Sequence, residues 1–231
     1  VRVLAIETAT QACSAALLVG DALLERFEIA PRGHAQRILA MVEELLAEAG
    51  LAPGALDAIA FGRGPGAFTG VRVAASVTQG LAFGAGLPVV PVSTLQALAA
   101  GVRRRTGHDA VLAALDARMG EVYWGAYRAA GDAASMALVG AERVAAPAAV
   151  PPPPGHGWFG AGSGFERHGP ALAACLGAAL AGVVTDALPR AADVAAIGGE
   201  RLRAGEARPP EEAVPVYLRD EVVTPSPAGE R

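Results

Sequence analysis

No charged residue occurs between Arg72 and Arg103. The stretch opens on a segment that reads Gly62-Arg-Gly-Pro-Gly-Ala-Phe-Thr-Gly-Val-Arg72, a glycine and proline loop that launches a helix over about Thr69 to Ala85. A surface helix of a soluble monomer carries a polar, charged stripe opposite its apolar one. This helix offers only Arg72, Ser76, Thr78 and Gln79 as polar positions. Both of its sides therefore need cover, the chain's own sheet on one and a partner protein on the other. A membrane span is excluded on pattern: Gly80, Gly84, Gly86, Pro88 and Pro91 interrupt the run, and a span needs about twenty predominantly apolar residues. The segment reads as a buried helix, a turn and a buried strand.

Around it the hydrophobic periods alternate. Three strands come first, Arg2 to Ile6, Cys13 to Val19 and Ala22 to Glu28, with Gly20-Asp21 as a hairpin turn. After the break at Pro31-Arg32-Gly33, apolar residues recur at helical spacing through Ile38, Met41, Val42, Leu45, Leu46 and Ala49, up to Gly50. A strand at Ala58 to Gly62, the uncharged helix, a strand at Pro88 to Val92 and a helix from Ser93 to Val102 follow, with Ser93 as its N-cap. A meander followed by alternating strands and helices requires parallel crossovers. It is the element order of a ribonuclease H-like half. A second unit begins near Asp109, with strands at Val111 to Leu115 and Glu121 to Arg128 around Arg118-Met119-Gly120. The stretch Ala141 to Val150 is ambiguous, and Pro151 to Pro154 reads as a rigid connector. Trp158 to Gly160 reads as a strand, Phe165 to Leu180 as a helix broken near Pro170 and Gly177, and Asp193 to Arg203 as a helix.

The chemistry is bounded mainly by what is missing. Every basic residue is arginine, so a Walker A lysine and a Schiff-base lysine are both excluded. The formal net charge of −4 supplies no overall field for nucleic acid. Cys13 and Cys175 lie far apart, the usage of a reduced, cytoplasmic chain, and since Val3 to Ile6 already reads as a strand no leader is expected. His34, His108, His156 and His168 show no metal-ligand spacing. Ser14, Ser76 and Ser93 lack a nucleophile elbow. Glu7-Thr8-Ala9-Thr10 stands where actin-like ATPases turn after their first strand. It has a carboxylate and hydroxyls, but a Cβ at Ala9 where close approach to an anion calls for glycine. Glu7, Thr8 and Thr10 are thus weak candidates for nucleotide binding. Asp116 to Gly120, Gly160 to Gly164 and Gly198-Gly199 are weaker glycine motifs of the same kind. For the Gly64 to Gly66 loop, with Thr69 as a possible helix cap, a structural turn and an anion site both stay open.

Four motifs in order carry a resemblance: Leu4-Ala-Ile-Glu-Thr-Ala-Thr10, Gly64-Pro-Gly-Ala-Phe-Thr-Gly-Val-Arg72, Leu115-Asp-Ala-Arg-Met-Gly-Glu-Val-Tyr-Trp124 and Pro215-Val-Tyr-Leu-Arg219. The chain resembles the TsaB (YeaZ) family, the dimerisation subunit of the bacterial machinery that makes threonylcarbamoyladenosine in tRNA. The match is poorest from about Ala129 to Trp158. The resemblance implies an α/β fold of two ribonuclease H-like (actin-like ATPase) domains, each a mixed sheet with helices. The second is expected to be smaller and degenerate, with boundaries at 1–106 and 107–223 and a flexible tail at 224–231. It also implies a non-catalytic, cytoplasmic subunit. The metal-binding histidines of the catalytic relative TsaD fall here on Thr94 and Leu98, so no metal and no catalytic residue is expected. The implied partners are a TsaD-type subunit, a TsaE-type ATPase and, in isolation, a second copy, with tRNA reached only through the complex. The pairing surface implied by the first two helices is Leu39, Val42, Leu46, Arg72, Ser76, Gln79, Gly80 and Phe83. No cofactor of its own is expected, with ATP or ADP possible at the complex interface. The alternative is a stand-alone enzyme of the same fold, an ATP-dependent phosphotransferase or a metallopeptidase.

Overall fold

A computed structural model describes residues 1–31, 33–131 and 136–219; the expected tail at 224–231 lies outside the described residues. β1 (Arg2–Glu7), β2 (Ala12–Val19) and β3 (Ala22–Ile29) form an antiparallel meander. Its second turn is the Gly20-Asp21 pair, with Gly20 at φ 61°. α1 (His34–Ala49), β4 (Ala58–Gly62), α2 (Phe68–Ala85) and β5 (Val89–Val92) follow. β4 joins β1, and β5 joins β4, both in parallel, for a sheet order β3-β2-β1-β4-β5.

α3 (Thr94–Thr106) leads into the second half. There β6 (Ala110–Arg118), β7 (Glu121–Ala129), β8 (Met136–Ala145), β9 (Trp158–Ala161), α4 (Ser163–Leu176), β10 (Leu180–Val184) and α5 (Ala191–Arg203) follow. The second sheet is ordered β10-β9-β6-β7-β8, antiparallel through β6, β7 and β8 and parallel through β9 and β10. Both sheets thus carry the ribonuclease H-like wiring, a duplication in topology that the residues do not repeat.

Strand alternation divides the interior into three layers. On the outer face of the first sheet, Leu4, Ile6, Leu17, Ile59 and Phe61 meet Ile38, Met41 and Leu45 of α1 and Ala74 and Ala82 of α2. On the outer face of the second, Trp124 and Trp158 meet Phe165 and Leu172 of α4. The inner faces share one core through α3 and α5. The two helices are exchanged: α3 packs on β6, β7, β8 and β9, while α5 packs on β1, β2, β4 and β5. The first sheet's inner face is paved with small residues, Val3, Ala5, Ala16, Ala58 and Ala60, so α5 lies close against it. A Cβ on Gly198 would sit 2.5 Å from that of Ala60.

Two local readings are corrected, and one left open is decided. The helix expected over Phe165 to Leu180 does break near Pro170 and at Gly177, its C-cap, but it does not resume: Leu180–Val184 is the edge strand β10. Within α4, His168 is non-helical (φ −123°, ψ 18°), two residues before Pro170, whose missing N–H and ring disrupt the preceding turn. The ambiguous 141–150 region is the end of β8 and a short 3-10 turn at Pro147–Ala149. Thr69 does not cap α2: the N-cap is Ala67, without a side-chain cap bond, and Thr69 lies one residue into the first turn. Ser93 does cap α3, its hydroxyl accepting from Leu95 N and Gln96 N at 3.2 and 3.3 Å.

Candidate functional site

The turn after β1 closes against the loop that launches α2, and glycine is what lets the two meet. A Cβ on Gly62 would lie 2.0 Å from Glu7 Oε2, one on Gly66 2.4 Å from Ala9 O, and one on Gly70 2.0 Å from Thr8 O. Ala67 N donates to Ala9 O at 2.7 Å and Thr8 Oγ1 to Gly70 O at 2.7 Å. Gly62, Gly66 and Gly70 are therefore closed off by the chain's own 7–9 turn, and Gly64 by the Val216 carbonyl, 3.1 Å from where its Cβ would lie. Gly162 and Gly164 are likewise closed off, both pressed against Ala114 of β6.

Glu7 sits at the centre of this junction and is wholly buried. Its Oε1 accepts from Ala9 N at 2.7 Å and its Oε2 from Thr94 Oγ1 at 3.0 Å. Burial pushes its carboxyl up from 4.5 to about 7, against the downward pull of bonds from Ala9 N, Thr94 Oγ1 and Thr8 N. Thr8 is also wholly buried, and Thr10 is half-buried with its hydroxyl accepting from Ala12 N at 3.2 Å. As placed, neither Glu7 nor Thr8 presents a group to a ligand. Leu98 lies in the inner core, and Thr94 is wholly buried with its hydroxyl donated to Glu7. A leucine and a hydroxyl already engaged with a carboxylate make a poor metal pair. Among the described residues, no group of three or more His, Cys, Asp or Glu is placed to hold a metal ion.

A second polar cluster ties the two halves together, and nothing in the sequence pointed to it. Glu142 of β8 accepts hydrogen bonds from Ser93 Oγ and Tyr127 OH. Arg63, just past β4, reaches its other oxygen at 3.7 Å. The Tyr127 hydroxyl is pushed well above its usual value, first by burial and then by the Glu142 charge. Arg201 of α5 donates to Pro91 O at 2.5 Å and to Gln96 Oε1 at 2.8 Å, and burial lowers its pKa. No periodicity relates positions 63, 93, 127 and 142; only the folded topology brings them together.

The residues assigned to a pairing surface divide into two groups. Val42 and Leu46 are 2% and 7% exposed and belong to the core between α1 and the first sheet, so they offer nothing to a partner. Leu39 on α1 is 46% exposed and Phe83 on α2 is 59% exposed. Ser76 and Gly80 are exposed, while Arg72 and Gln79 are half-buried. Gln79 donates to the carbonyls of Pro210 and Glu211 at 3.3 and 3.4 Å, and the Arg72 guanidinium lies 3.3 Å over the Phe68 ring. The buried side of α2, Gly70, Val71, Ala74, Ala75, Thr78 and Ala82, faces the sheet. Its outer side, through Phe68, Ser76, Gly80, Phe83 and Gly84, is exposed, and its one charge is Arg72, stacked on Phe68. His34, at the start of α1, is taken up internally, its Nε2 lying 3.2 Å from Ala12 O.

Two like-wired halves, a closed turn after the first strand and an outer helix with a single charge, Arg72, define a duplicated ribonuclease H-like (actin-like) α/β fold. The model of the family described as "TsaD: tRNA N6-adenosine threonylcarbamoyltransferase" matches residues 27–224. The Escherichia coli K12 protein named tRNA threonylcarbamoyladenosine biosynthesis protein TsaB is 53% identical over 127 residues, 55% of each chain. Its Bacillus subtilis namesake is 35% identical over 127 residues, 54% of this chain and 55% of that one. The matches thus span about half the length of these curated relatives. A crystal structure titled as an uncharacterized protein with similarity to peptidase YEAZ, from Pseudomonas aeruginosa, superposes with a TM-score of 0.87 at 46% identity. That superposition covers 94% of this chain and 99% of the other. A second structure, titled YeaZ from Pseudomonas aeruginosa, gives a TM-score of 0.85 at 46% identity and the same coverage. The chain belongs to the TsaB (YeaZ) family.

Proposed function

We propose that the chain is a non-catalytic subunit in the biosynthesis of threonylcarbamoyladenosine in tRNA. It pairs through the exposed side of α2, with Leu39 of α1, to a TsaD-type catalytic subunit. A TsaE-type ATPase docks on that pair, the chain self-pairs when the TsaD-type subunit is absent, and tRNA is reached only through the assembly. Its place is the cytoplasm, and among the described residues no helix is long and apolar enough to cross a membrane. Any ATP or ADP binds at the complex interface rather than at a site of this chain alone.

The observation that carries this reading is the outer side of α2. One charged residue stands in the whole helix, Arg72, and its guanidinium is stacked on Phe68. An exposed strip with aromatic residues near both ends and its single charge stacked on one of them is the composition of a surface meant to be covered. Exposed Ser76, Gly80 and Gly84 let a second helix approach closely. A stable contact of this kind buries on the order of 1,200–2,000 Å² in total, and a self-pair would be isologous. Against a stand-alone phosphotransferase or metallopeptidase stands the enclosure of Glu7 and Thr94, each hydrogen-bonded to the other and closed from solvent.

Gly80→Trp tests the surface. Gly80 is exposed and a Cβ there meets nothing within 4 Å, so the added side chain starts into open space, and an unchanged circular dichroism spectrum checks that the fold is kept. Co-purification with a TsaD-type subunit should be lost, and the isolated chain should sediment as a monomer under conditions where the wild type dimerises. Wild-type yield of the complex with Gly80→Trp would refute the assignment.

A further inference from the structure

We infer that residues 208–219 form a latch that runs from the first half onto the β6–β7 turn, and that the Arg219–Glu121 ion pair is its releasable end. The inference stands whether or not α2 pairs with another chain. After α5, Arg208 exchanges both backbone hydrogen bonds with Val89 at 2.8 Å, adding a residue to the outer edge of β5. Gln79 of α2 holds the carbonyls of Pro210 and Glu211, and Ala213 is buried in the core beneath α2. Val216 N donates to Arg63 O at 2.8 Å, and the Arg72 guanidinium lies 4.9 Å from the Tyr217 ring. Up to this point every one of these anchors belongs to the first half.

The segment then crosses to the second half. Arg219 donates to Ala117 O at 3.3 Å and to the Glu121 carboxylate, and its other terminal nitrogen lies 3.4 Å from Met119 Sδ. All three partners flank or form the turn between β6 and β7. That turn holds two consecutive non-glycine residues in the left-handed region, Arg118 at φ 64° and Met119 at φ 53°, before Gly120 at φ 77°. Such backbone persists only where its surroundings hold it. From below, Asp116 Oδ1 accepts from Arg118 N at 3.1 Å; from outside, Arg219 clamps both arms. Among the described residues, the first-half anchors are backbone bonds, buried packing and a buttressing glutamine, whereas the second-half anchor is one side chain. Release therefore begins at Arg219.

Amide hydrogen exchange on the full chain, read peptide by peptide, tests this. Arg219→Ala and Glu121→Ala should each speed exchange at 116–121 and 213–219 by about threefold, the change in open population that a part-exposed ion pair supports. Exchange in β1, α1 and α4 should stay at wild-type rates. The reversed pair Arg219→Glu with Glu121→Arg should bring 116–121 back toward wild type. Unchanged exchange at 116–121 in both single variants would overturn the latch. So would a uniform acceleration across all peptides, which would make Arg219 a general stability residue. A failure of α2 to pair with any partner would leave these outcomes untouched, so the two readings fail separately.

Discussion

Replacing Glu7 by glutamine should flatten part of the chain's dependence of stability on pH. The carboxyl is wholly buried among Gly62, Thr94 and the turn to Ala9, and its pKa rises from 4.5 to about 7 on folding. Between those two values the folded chain holds a proton that the unfolded chain has released. Stability therefore falls as pH rises through this window, the opposite of a salt-bridged carboxylate. Each tenfold change in proton affinity is worth about 1.4 kcal/mol, so ionising Glu7 in place costs about 3 kcal/mol by pH 8. Glutamine keeps the shape, retains an acceptor for Ala9 N and has no proton to lose. Urea unfolding of wild type and Glu7→Gln at half-unit steps from pH 5 to 8.5 measures the difference. At pH 5 the two should lie within about 1 kcal/mol, the cost of exchanging one hydrogen bond with Thr94. By pH 8 the variant should be the more stable by about 2–3 kcal/mol. Parallel curves across the range would show that Glu7 is not held in a medium that disfavours its charge, and the reasoning would fail.

Gly70→Ala should cost about 3 kcal/mol or more, because its Cβ would lie 2.0 Å from the Thr8 carbonyl and backbone must move to admit it. Gly80→Ala in the same helix, with open space around the new Cβ, should be neutral or stabilising by up to about 1 kcal/mol; equal costs in denaturant titrations would refute the close-approach argument. Arg104→Ala removes the two-bond grip, at 2.9 and 3.1 Å, on the buried Asp193. Since the arginine itself is half exposed, the loss should be about 2 kcal/mol rather than the full cost of a broken buried pair. Burial already raises the Asp193 pKa and removing the cation raises it further, so the loss should be larger at pH 8 than at pH 5. Thermal unfolding at the two pH values reads it.

The element order was legible because period and punctuation agreed. Val3 to Ile6 and Ala58 to Gly62 are short apolar runs between turn residues, and α1 repeats its apolar residues every three or four positions up to Gly50, whose φ of 63° closes the helix. The strand Leu-Ala-Gly-Val-Val at 180–184 was not legible. Five small apolar residues after an alanine-rich helix carry no period, and only pairing with β9 decides them. Arg219 stood within a legible motif, but its role depends on the carbonyl of Ala117, a hundred residues away in sequence. Val42 and Leu46 show a different limit. Helical periodicity placed them correctly in an apolar stripe, and the stripe faces the sheet; of the surface expected on that helix, only Leu39 stands in solvent. Glu7 was singled out for the chemistry of its position, while its burial depends on Gly62 and Thr94, which lie far along the chain and are brought to it by parallel strands.

The exchange of α3 and α5 bears on how the molecule comes apart. A cut between residues 106 and 107 would leave each fragment holding a helix that belongs on the other's sheet, with Leu95, Leu98 and Val102 on one side and Val194 and Ile197 on the other stripped of their neighbours. Neither fragment could melt or assemble as a separate unit. Heat or denaturant should instead take the whole molecule through one cooperative transition, so a lesion placed in either half is felt by both.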